Sequence, residues 1–326
     1  MTAGQPRIWV LLGHRTGDNN QLLALAEALG VPFETRTLRF NWLRILHRLL
    51  PGSLLSLDGS SRASIASPWP DLVIGIGWRS VPVGRWIRRA SGGRTRHVRL
   101  GDPRVAAHHF DLLITTPQYP VADAPNVLKL PIGMSRYKRT PAADADEAAF
   151  LEALPRPRAL LAIGGPAKYW RLGADEVLAA AERLSGRPGS LLIVTSPRTP
   201  DNLTEQLRSF IVGRKNIALI DDRRPRFAVL LADSDEIFVT GDSIAMLSEA
   251  VLAGKPVGIV PVALDERGRR VLADGSGGHR DLRRFWASLQ EHGLAGTIDA
   301  PMQGRIEDPA KTAANAVLAL LGDRVE

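Results

Sequence analysis

The feature that most constrains the fold of this 326-residue chain is the alternation of short apolar runs with amphipathic stretches of helical period. Strands separated by helices at this spacing predict βαβ units and a mostly parallel sheet. In the first half, the pattern predicts strands over Ile8–Leu12, Phe33–Leu38, Asp71–Gly75, His97–Leu100 and Asp111–Thr115, with helices over Asn20–Leu29 and Val81–Ala90.

The alternation stops between Pro131 and Pro157, where Pro, Ala and Asp are frequent, and this stretch predicts a linker with a short helix. The second half predicts strands over Ala159–Ile163, Ser190–Thr195, Ile217–Ile220, Glu236–Thr240 and Val257–Val260, and helices over Ala174–Leu184, Leu203–Ile211, Phe227–Ala232, Ile244–Ala253, Asp281–Glu291 and from Asp308 to about Leu321. We therefore predict an α/β protein with two Rossmann-like doubly wound domains, over 1–140 and 155–305, that face a cleft, followed by a C-terminal helical segment over 306–326.

Composition excludes several functional classes. The absence of cysteine excludes disulfides, thiolate metal sites and cysteine nucleophiles. The seven histidines show no metal-ligand spacing, so no dedicated metal site is expected, and Mg²⁺ held by Asp or Glu is the alternative. The net charge of +8 suits nucleic acid, anionic lipid or phosphorylated small molecules. No RNA-binding pattern, zinc finger or basic zipper is present, so no nucleic-acid partner is expected. Without a signal peptide or an apolar run of about 18 residues, we expect a cytoplasmic protein, peripheral on the membrane at most.

The segment Glu236–Pro261 predicts a buried strand, a polar turn, a helix and a further strand. Asp242 and Ser243 lie where they can cap that helix, and its first-turn N–H groups can bind an anion such as a phosphate. Glu249, six residues after Ser243, can accept hydrogen bonds from the hydroxyls of a ribose. The same spacing also fits an ordinary capped helix with Glu249 in solvent.

Two other strand ends of the second domain carry candidate phosphate ligands. Gly164 and Gly165 follow a predicted strand, where glycine lets the backbone approach a phosphate, and Lys168 adds positive charge. Ser196 and Arg198 follow the next strand, and an arginine there can clamp a phosphate. Neither the dinucleotide fingerprint nor the phosphate-loop motif is present, so a plain turn is the alternative at both places.

In the first domain, polar residues crowd the predicted loop between the first strand and the first helix. His14 and Asp18 are candidate general bases for an acceptor hydroxyl. The candidate acceptor-side residues are Gly17, Asn19, Asn20 and Gln21. Alternatively, Asp18 or Asn19 simply caps the helix.

The stretch Arg39–Leu50 combines arginines, leucines and Trp42 in a basic amphipathic pattern. Such a helix can lie in a membrane interface with its arginines on anionic head groups, which makes an anionic membrane surface a candidate partner. A core-packing helix with a basic outer face has the same pattern.

Several motifs occur together in the order of a known family. They are Gly17-Asp18-Asn19-Asn20-Gln21, Gly101-Asp102-Pro103-Arg104, Ile163-Gly164-Gly165-Pro166, Ser196-Pro197-Arg198-Thr199-Pro200, the block from Val239 to Ala250 and the stretch Gly278–Gln290. The chain resembles, over nearly its whole length, the mitochondrial-fission family of the elongated-mitochondria type. Bacterial members were earlier described as a domain of unknown function or as predicted nucleoside-diphosphate-sugar epimerases.

This resemblance implies a glycosyltransferase-B-like architecture in which the C-terminal domain binds a nucleotide sugar and the last helix packs back toward the N-terminal domain. It implies that Glu249 holds the ribose, and it adds Thr240, Met246 and Ser248 to the candidate ligand-binding residues. The leading hypothesis is transfer of a sugar from a nucleoside diphosphate to a cell-envelope acceptor, without a cofactor. The alternatives are a nucleotide-sugar 2-epimerase and a non-catalytic peripheral membrane protein.

Overall fold

The computed structural model describes residues 5–43, 52–137, 141–273 and 278–322. The chain divides into two compact units, one formed by Met1–Arg136 with Glu307–Glu326 and the other by Tyr137–Ile306. The elements of the first unit, before the chain leaves it, are β1 (Ile8–Leu12), α1 (Thr16–Ala28), β2 (Phe33–Thr37), α2 (Gly59–Ala63), β3 (Leu72–Ile76), α3 (Val81–Ala90), β4 (Arg96–Leu100), β5 (Leu112–Thr115) and β6 (Val127–Lys129).

The second unit begins with the short helix that the proline-rich stretch predicts. Its elements are α4 (Ala145–Glu152), β7 (Arg158–Ile163), β8 (Trp170–Arg171), α5 (Ala174–Ser185), β9 (Ser190–Thr195), α6 (Asp201–Ile211), β10 (Ile217–Ile220), α7 (Phe227–Asp233), β11 (Glu236–Thr240), α8 (Ile244–Leu252), β12 (Val257–Val260), β13 (Ala263–Leu264), α9 (Glu266–Val271), α10 (Leu282–Glu291) and β14 (Gly296–Thr297). The last helix, α11 (Pro309–Gly322), belongs to the first unit.

Each unit contains one six-stranded parallel sheet. The strand order is β2-β1-β3-β4-β5-β6 in the first unit and β10-β9-β7-β11-β12-β14 in the second. Parallel strands covered by helices are buried on both faces, which is why they appear in the sequence as continuous apolar runs. The predicted α/β fold class is therefore confirmed.

In the first unit, an apolar cluster lies on each face of the sheet, between the strands and the helices that cover them. On one face, α1 contributes Leu22 and Leu25, and α11 contributes Ala313 and Val317 to the same cluster. On the other face, a smaller cluster that includes Ile87 of α3 packs against the strands. The C-terminal helix thus completes the hydrophobic core of the unit in which the chain begins.

The structure corrects the predicted start of the first helix. Helix α1 begins at Thr16 rather than Asn20, so Gly17, Asp18 and Asn19 lie in its first turn. No side chain caps it from the N-cap residue, Arg15. Instead, Asn19 Nδ2 donates to the Gly13 carbonyl and Asn19 Oδ1 accepts from the Gly13 N–H, both at 2.8 Å. These two hydrogen bonds fix the turn that follows β1. Helix α1 can therefore begin before the first apolar residues of its sequence pattern.

Candidate functional site

Three neighbouring strands of the second sheet end in the polar turns that the sequence singles out. Strand β7 pairs with β9 on one side and with β11 on the other, all in parallel. Their carboxyl ends therefore lie at one edge of the sheet, where α/β proteins bind their ligands. The Gly164–Gly165, Ser196–Arg198 and Gly241–Ser243 turns meet there.

Hydrogen bonds join the β7 turn directly to the β11 turn. The Gly164 N–H donates to Thr240 Oγ1 at 2.9 Å, and the Gly165 N–H donates to Asp242 Oδ2 at 2.8 Å. Both N–H groups are thus satisfied by protein acceptors rather than held open for a phosphate. The two side chains shape the site by fixing the glycine turn.

Glycine is required in this turn because the turns are packed in contact. A Cβ at Gly164 would lie 2.1 Å from Asp242 Oδ2, and a Cβ at Gly165 would lie 2.3 Å from the Arg198 carbonyl oxygen. The second distance is to backbone, which has little freedom to move. The glycines therefore bring three strand ends together, a different role from the predicted direct contact with phosphate.

The β9 turn is held to the same place by two hydroxyls. Ser196 Oγ donates to the Gly164 carbonyl at 2.8 Å, and Thr199 Oγ1 donates to the same oxygen at 2.6 Å. Thr199 also accepts from the Ser196 N–H at 2.9 Å, which closes the turn. Sequence reasoning missed Thr199; its spacing of three residues from Ser196, after a strand, is the local signal for such a turn. Arg198, between them, is exposed.

Asp242 is a buried carboxyl at the centre of this edge. Its Oδ1 is buried without a hydrogen-bond partner among the described residues. Burial raises the pKa of Asp242, an effect opposed by hydrogen bonds from Thr240 and Gly165 and by the charge of Arg198. Burial thus disfavours the ionised form of the Asp242 carboxyl in the folded protein. A cation or hydrogen-bond donor bound next to Asp242 would favour the ionised form again.

We predict that Asp242→Asn stabilises the protein at pH 7 by up to about 1 kcal/mol, the usual size of a single substitution. The amide keeps an oxygen for the Gly165 N–H and removes the buried charge. Because the folded pKa is raised, the native state retains a proton that the unfolded state has lost, so stability falls as pH rises from 3.8 through the folded pKa. Urea unfolding of both proteins should show the difference at pH 7 and lose it near pH 3.5.

Asp175→Asn, at an exposed position of the same unit, supplies the control and should change stability little. A wild-type protein that is more stable than Asp242→Asn at pH 7 would show that the carboxylate is stabilised in the folded state.

Helix α8 begins at this edge with an uncapped first turn. Ser243 is the N-cap residue, but its side chain makes no capping hydrogen bond. Asp242 Oδ2 accepts from the Gly165 N–H, and its Oδ1 has no partner among the described residues, so the predicted capping by Asp242 or Ser243 is corrected. First-turn N–H groups without a side-chain acceptor attract anions, and the helix dipole adds to the effect. Trp286 closes one side, because its Nε1 donates to the Gly241 carbonyl at 2.9 Å. Sequence reasoning missed this tryptophan.

The remaining predicted residues of the second unit differ in their placement. Met246 and Glu249 are half-buried on α8, and Glu249 takes part in an interaction of its own. Ser248 is buried, and its hydroxyl donates to the Ile244 carbonyl at 2.7 Å. Lys168 is exposed, with its ammonium 4.5 Å from the centre of the Tyr169 ring. To bind a phosphate as predicted, the Lys168 side chain must therefore move away from the Tyr169 ring.

At the carboxyl edge of the first sheet, the predicted catalytic and acceptor-side residues surround the start of α1. His14, Gly17 and Asn20 are exposed, while Asp18, Asn19 and Gln21 are half-buried. The charge of Asp18 acts on Arg99, a fully buried arginine that sequence reasoning missed. Burial lowers the pKa of Arg99 to about 9, and Asp18 opposes that shift.

Two further observations concern metals and membranes. Among residues 5–43, 52–137, 141–273 and 278–322, no group of three or more acidic or histidine side chains could hold a metal ion. In the same parts of the chain, every helix is too short or too polar to cross a bilayer.

Most of the basic stretch Arg39–Leu50, predicted to contact a membrane, lies outside the described residues. Trp42 is among the described residues, and its side chain is 74% exposed.

Solved structures of UDP-sugar epimerases and glycosyltransferases share this architecture. The UDP-GlcNAc 2-epimerase of Methanocaldococcus jannaschii matches with a TM-score of 0.54 at 13% identity, over 97% of this chain and 99% of that chain. A UDP-glucosyltransferase of Polygonum tinctorium that glucosylates indoxyl matches with a TM-score of 0.55 at 12% identity, over 99% and 100%. The two parallel α/β units thus define a protein of the glycosyltransferase-B-like fold.

Sequence similarity narrows this class to one family. The family Mitochondrial fission ELM1 matches residues 16–321, and the chain belongs to it. The mitochondrial fission protein ELM1 of Arabidopsis thaliana is 24% identical over 246 residues, which is 66% of this chain and 57% of that protein. The chain therefore matches less than two thirds of the length of this relative. The resemblance drawn from the sequence motifs is confirmed.

Proposed function

We propose that the protein binds a nucleoside-diphosphate sugar in its second unit and transfers the sugar to an acceptor bound by its first unit. The observation that carries the proposal is the meeting of three strand-end turns at the uncapped start of α8. The Gly164 and Gly165 N–H groups bond to Thr240 and Asp242, and Ser196 bonds to the Gly164 carbonyl, which preorganises this edge. Preorganised N–H donors, here those of the first turn of α8, are suited to a diphosphate. The UDP-sugar proteins that share the fold support this class of ligand.

Each step of the transfer has a candidate group. The first-turn N–H groups of α8 and the exposed guanidinium of Arg198 stabilise the leaving diphosphate as its bond to the anomeric carbon breaks. Glu249 accepts hydrogen bonds from the ribose hydroxyls. The acceptor oxygen forms the new bond to the anomeric carbon and gives its proton to Asp18 or His14.

We predict that Glu249→Gln weakens the binding of UDP or another nucleoside diphosphate about 10-fold or more, because hydrogen bonds to a charged acceptor contribute about 1.5–3 kcal/mol each. Isothermal titration with UDP, GDP, CMP and dTDP first identifies the base, and the variant is then titrated with the best ligand. Glu266→Gln, at an exposed position of the same unit, should leave affinity unchanged. Failure of every nucleotide to bind the wild type would contradict the proposal, and so would unaltered binding by Glu249→Gln.

A 2-epimerase is the second candidate, favoured by the UDP-GlcNAc 2-epimerases that share the fold. An epimerase needs the same donor site but acid and base groups on the sugar itself, and it needs no acceptor. Product analysis with a labelled sugar nucleotide separates the two, since only an epimerase converts the donor in the absence of an acceptor.

A peripheral membrane location is a further part of the proposal. It is supported by Trp42, which is 74% exposed and lies three positions after the exposed Arg39, and by Leu55, which is 47% exposed. An exposed tryptophan beside basic residues suits an anionic membrane interface. Co-sedimentation with phosphatidylglycerol vesicles that is lost in Trp42→Ala, without any turnover of sugar nucleotide, would favour the non-catalytic alternative.

A further inference from the structure

The first sheet has a topological switch point between β1 and β3. The chain runs from β1 outward to β2 on one side, and then returns to place β3 and the later strands on the other side. In open parallel sheets, ligands bind in the crevice at this point. Helix α1, which has 13 residues, starts at the same crevice without a side-chain cap.

A buried cation lies behind this crevice. Arg99 of β4 is fully buried, and its side chain crosses Gly75 of β3, where a Cβ would lie 2.5 Å from Nη1. Arg99 Nη1 donates to Ser80 Oγ at 3.0 Å. Its Nε and Nη2 are buried without a hydrogen-bond partner in the described parts of the chain. Buried donors are normally satisfied, so these two indicate an acceptor that the described residues do not provide.

The position of Arg99 relates it to the switch point. Gly75 pairs with Leu11 of β1 on one side and with Arg99 on the other, so a side chain that crosses Gly75 extends from β4 toward β1. The charge of Asp18, in the first turn of α1, acts on the guanidinium. With a pKa of about 9, Arg99 remains protonated at neutral pH.

The surroundings of the crevice are open. A Cβ built at Gly13, Gly17 or Gly77 would meet no atom within 4 Å. Gly13 and Gly17 flank the start of α1, and Gly77 follows β3, so open space adjoins both strands of the switch point. A small anion therefore has room where the helix N-terminus and the buried arginine converge.

We propose that this crevice binds a phosphate or carboxylate group of the acceptor, with Arg99 as its cationic partner. The proposal rests on the transfer function proposed above and gives the acceptor a chemical class, that of anionic molecules. The anion accepts hydrogen bonds from the first-turn N–H groups of α1 and from Nε or Nη2 of Arg99. Neither of those two atoms has a hydrogen-bond partner among the described residues, so their bonds to the anion replace no bond described there.

The experiment titrates the full-length protein with inorganic phosphate and with glycerol 3-phosphate at constant ionic strength. We expect millimolar binding by the wild type and at least 10-fold weaker binding by Arg99→Met. Arg89→Met, at an exposed position of the same unit, should bind like the wild type. Gly13→Leu fills the crevice and leaves Arg99 in place, so it tests the site even if Arg99→Met does not fold, and it should also weaken binding.

The outcomes separate this proposal from the donor site. Titration with UDP reports on the second unit, and it should give the same affinity in all four proteins whether or not phosphate binds. Vesicles that contain phosphatidic acid compete with glycerol 3-phosphate if the natural source of the anion is a lipid, and they do not compete if it is a soluble molecule. Absence of phosphate binding in the wild type would overturn the proposal, as would equal binding by Arg99→Met or Gly13→Leu.

Discussion

Gly165→Ala is expected to lower the free energy of unfolding by about 3 kcal/mol, the upper end for overpacking a tight site. The new Cβ would lie 2.3 Å from the Arg198 carbonyl oxygen and 2.6 Å from its carbonyl carbon. These are backbone atoms of the β9 turn, and that turn is fixed by the hydroxyls of Ser196 and Thr199. To relieve the contact, the β7 and β9 turns must separate, which breaks the hydrogen bonds that assemble the site.

The measurement is urea unfolding of the wild type and the variant, with nucleotide titration of whatever fraction remains folded. Gly186→Ala is the matched control, because a Cβ at Gly186 meets only the Arg183 carbonyl oxygen, at 3.7 Å, and the residue has right-handed helical backbone angles. It should keep both stability and nucleotide affinity. If Gly165→Ala is as stable as the wild type, the turns are not packed as described.

The donor site shows what the sequence can predict and where local pattern stops being informative. The strands β9, β10, β11 and β12 agree with their predictions residue for residue, because continuous apolar runs between polar turns are a local signal. Parallel pairing then brings their carboxyl ends to one edge, so the meeting of the Gly164, Ser196 and Asp242 turns also follows from the sequence. The role of each residue at this edge of the sheet cannot be predicted from the sequence.

The roles depend on contacts between residues far apart in the chain. The Gly165 N–H bonds to a carboxylate 77 positions away, and Trp286 bonds to a carbonyl 45 positions away. Arg99 looks like one of many surface arginines in the sequence, and only the missing side chain of Gly75 on the neighbouring strand makes room for it inside the unit. The start of α1 differs from the sequence prediction for a related reason, because the Asn19 side chain bonds to the Gly13 backbone rather than pointing outward to a ligand.

The second large effect is a loss of stability in mild acid that we attribute to His97. Its ring is fully buried, in edge contact with Phe110 at 5.0 Å between ring centres, and neither ring nitrogen has a hydrogen-bond partner within the described residues. It fits beneath α3 because position 84 is glycine, where a Cβ would lie 2.3 Å from the ring. Burial lowers the pKa of His97 well below 6.5, and the charges of Arg99, Arg88 and Arg85 act in the same direction.

Because the folded pKa is depressed, the unfolded chain binds a proton that the native state does not, as soon as pH falls below 6.5. The stability that a neutral His97 contributes is present above pH 6.5, and it decreases by about 1.4 kcal/mol for each further pH unit until the folded pKa is reached. Between pH 7.5 and 5, this single residue should therefore cost up to about 2 kcal/mol, the limit that is reached when the folded ring stays neutral over the whole range. Urea unfolding at half-unit pH steps over this range measures the slope.

The replacement His97→Leu removes the titrating group and places an apolar side chain in the same space. Between pH 7.5 and 5, the variant should therefore lose less stability than the wild type, and the difference should equal the loss attributed to His97. This holds whatever the stability of the variant at pH 7.5. His14→Gln, at an exposed position of the same unit, should retain the wild-type slope. An equal slope in wild type and His97→Leu would mean that another group causes the acid sensitivity. The comparison of slopes is the decisive quantity, because a core substitution changes stability at every pH, whereas only a titrating group changes how stability depends on pH.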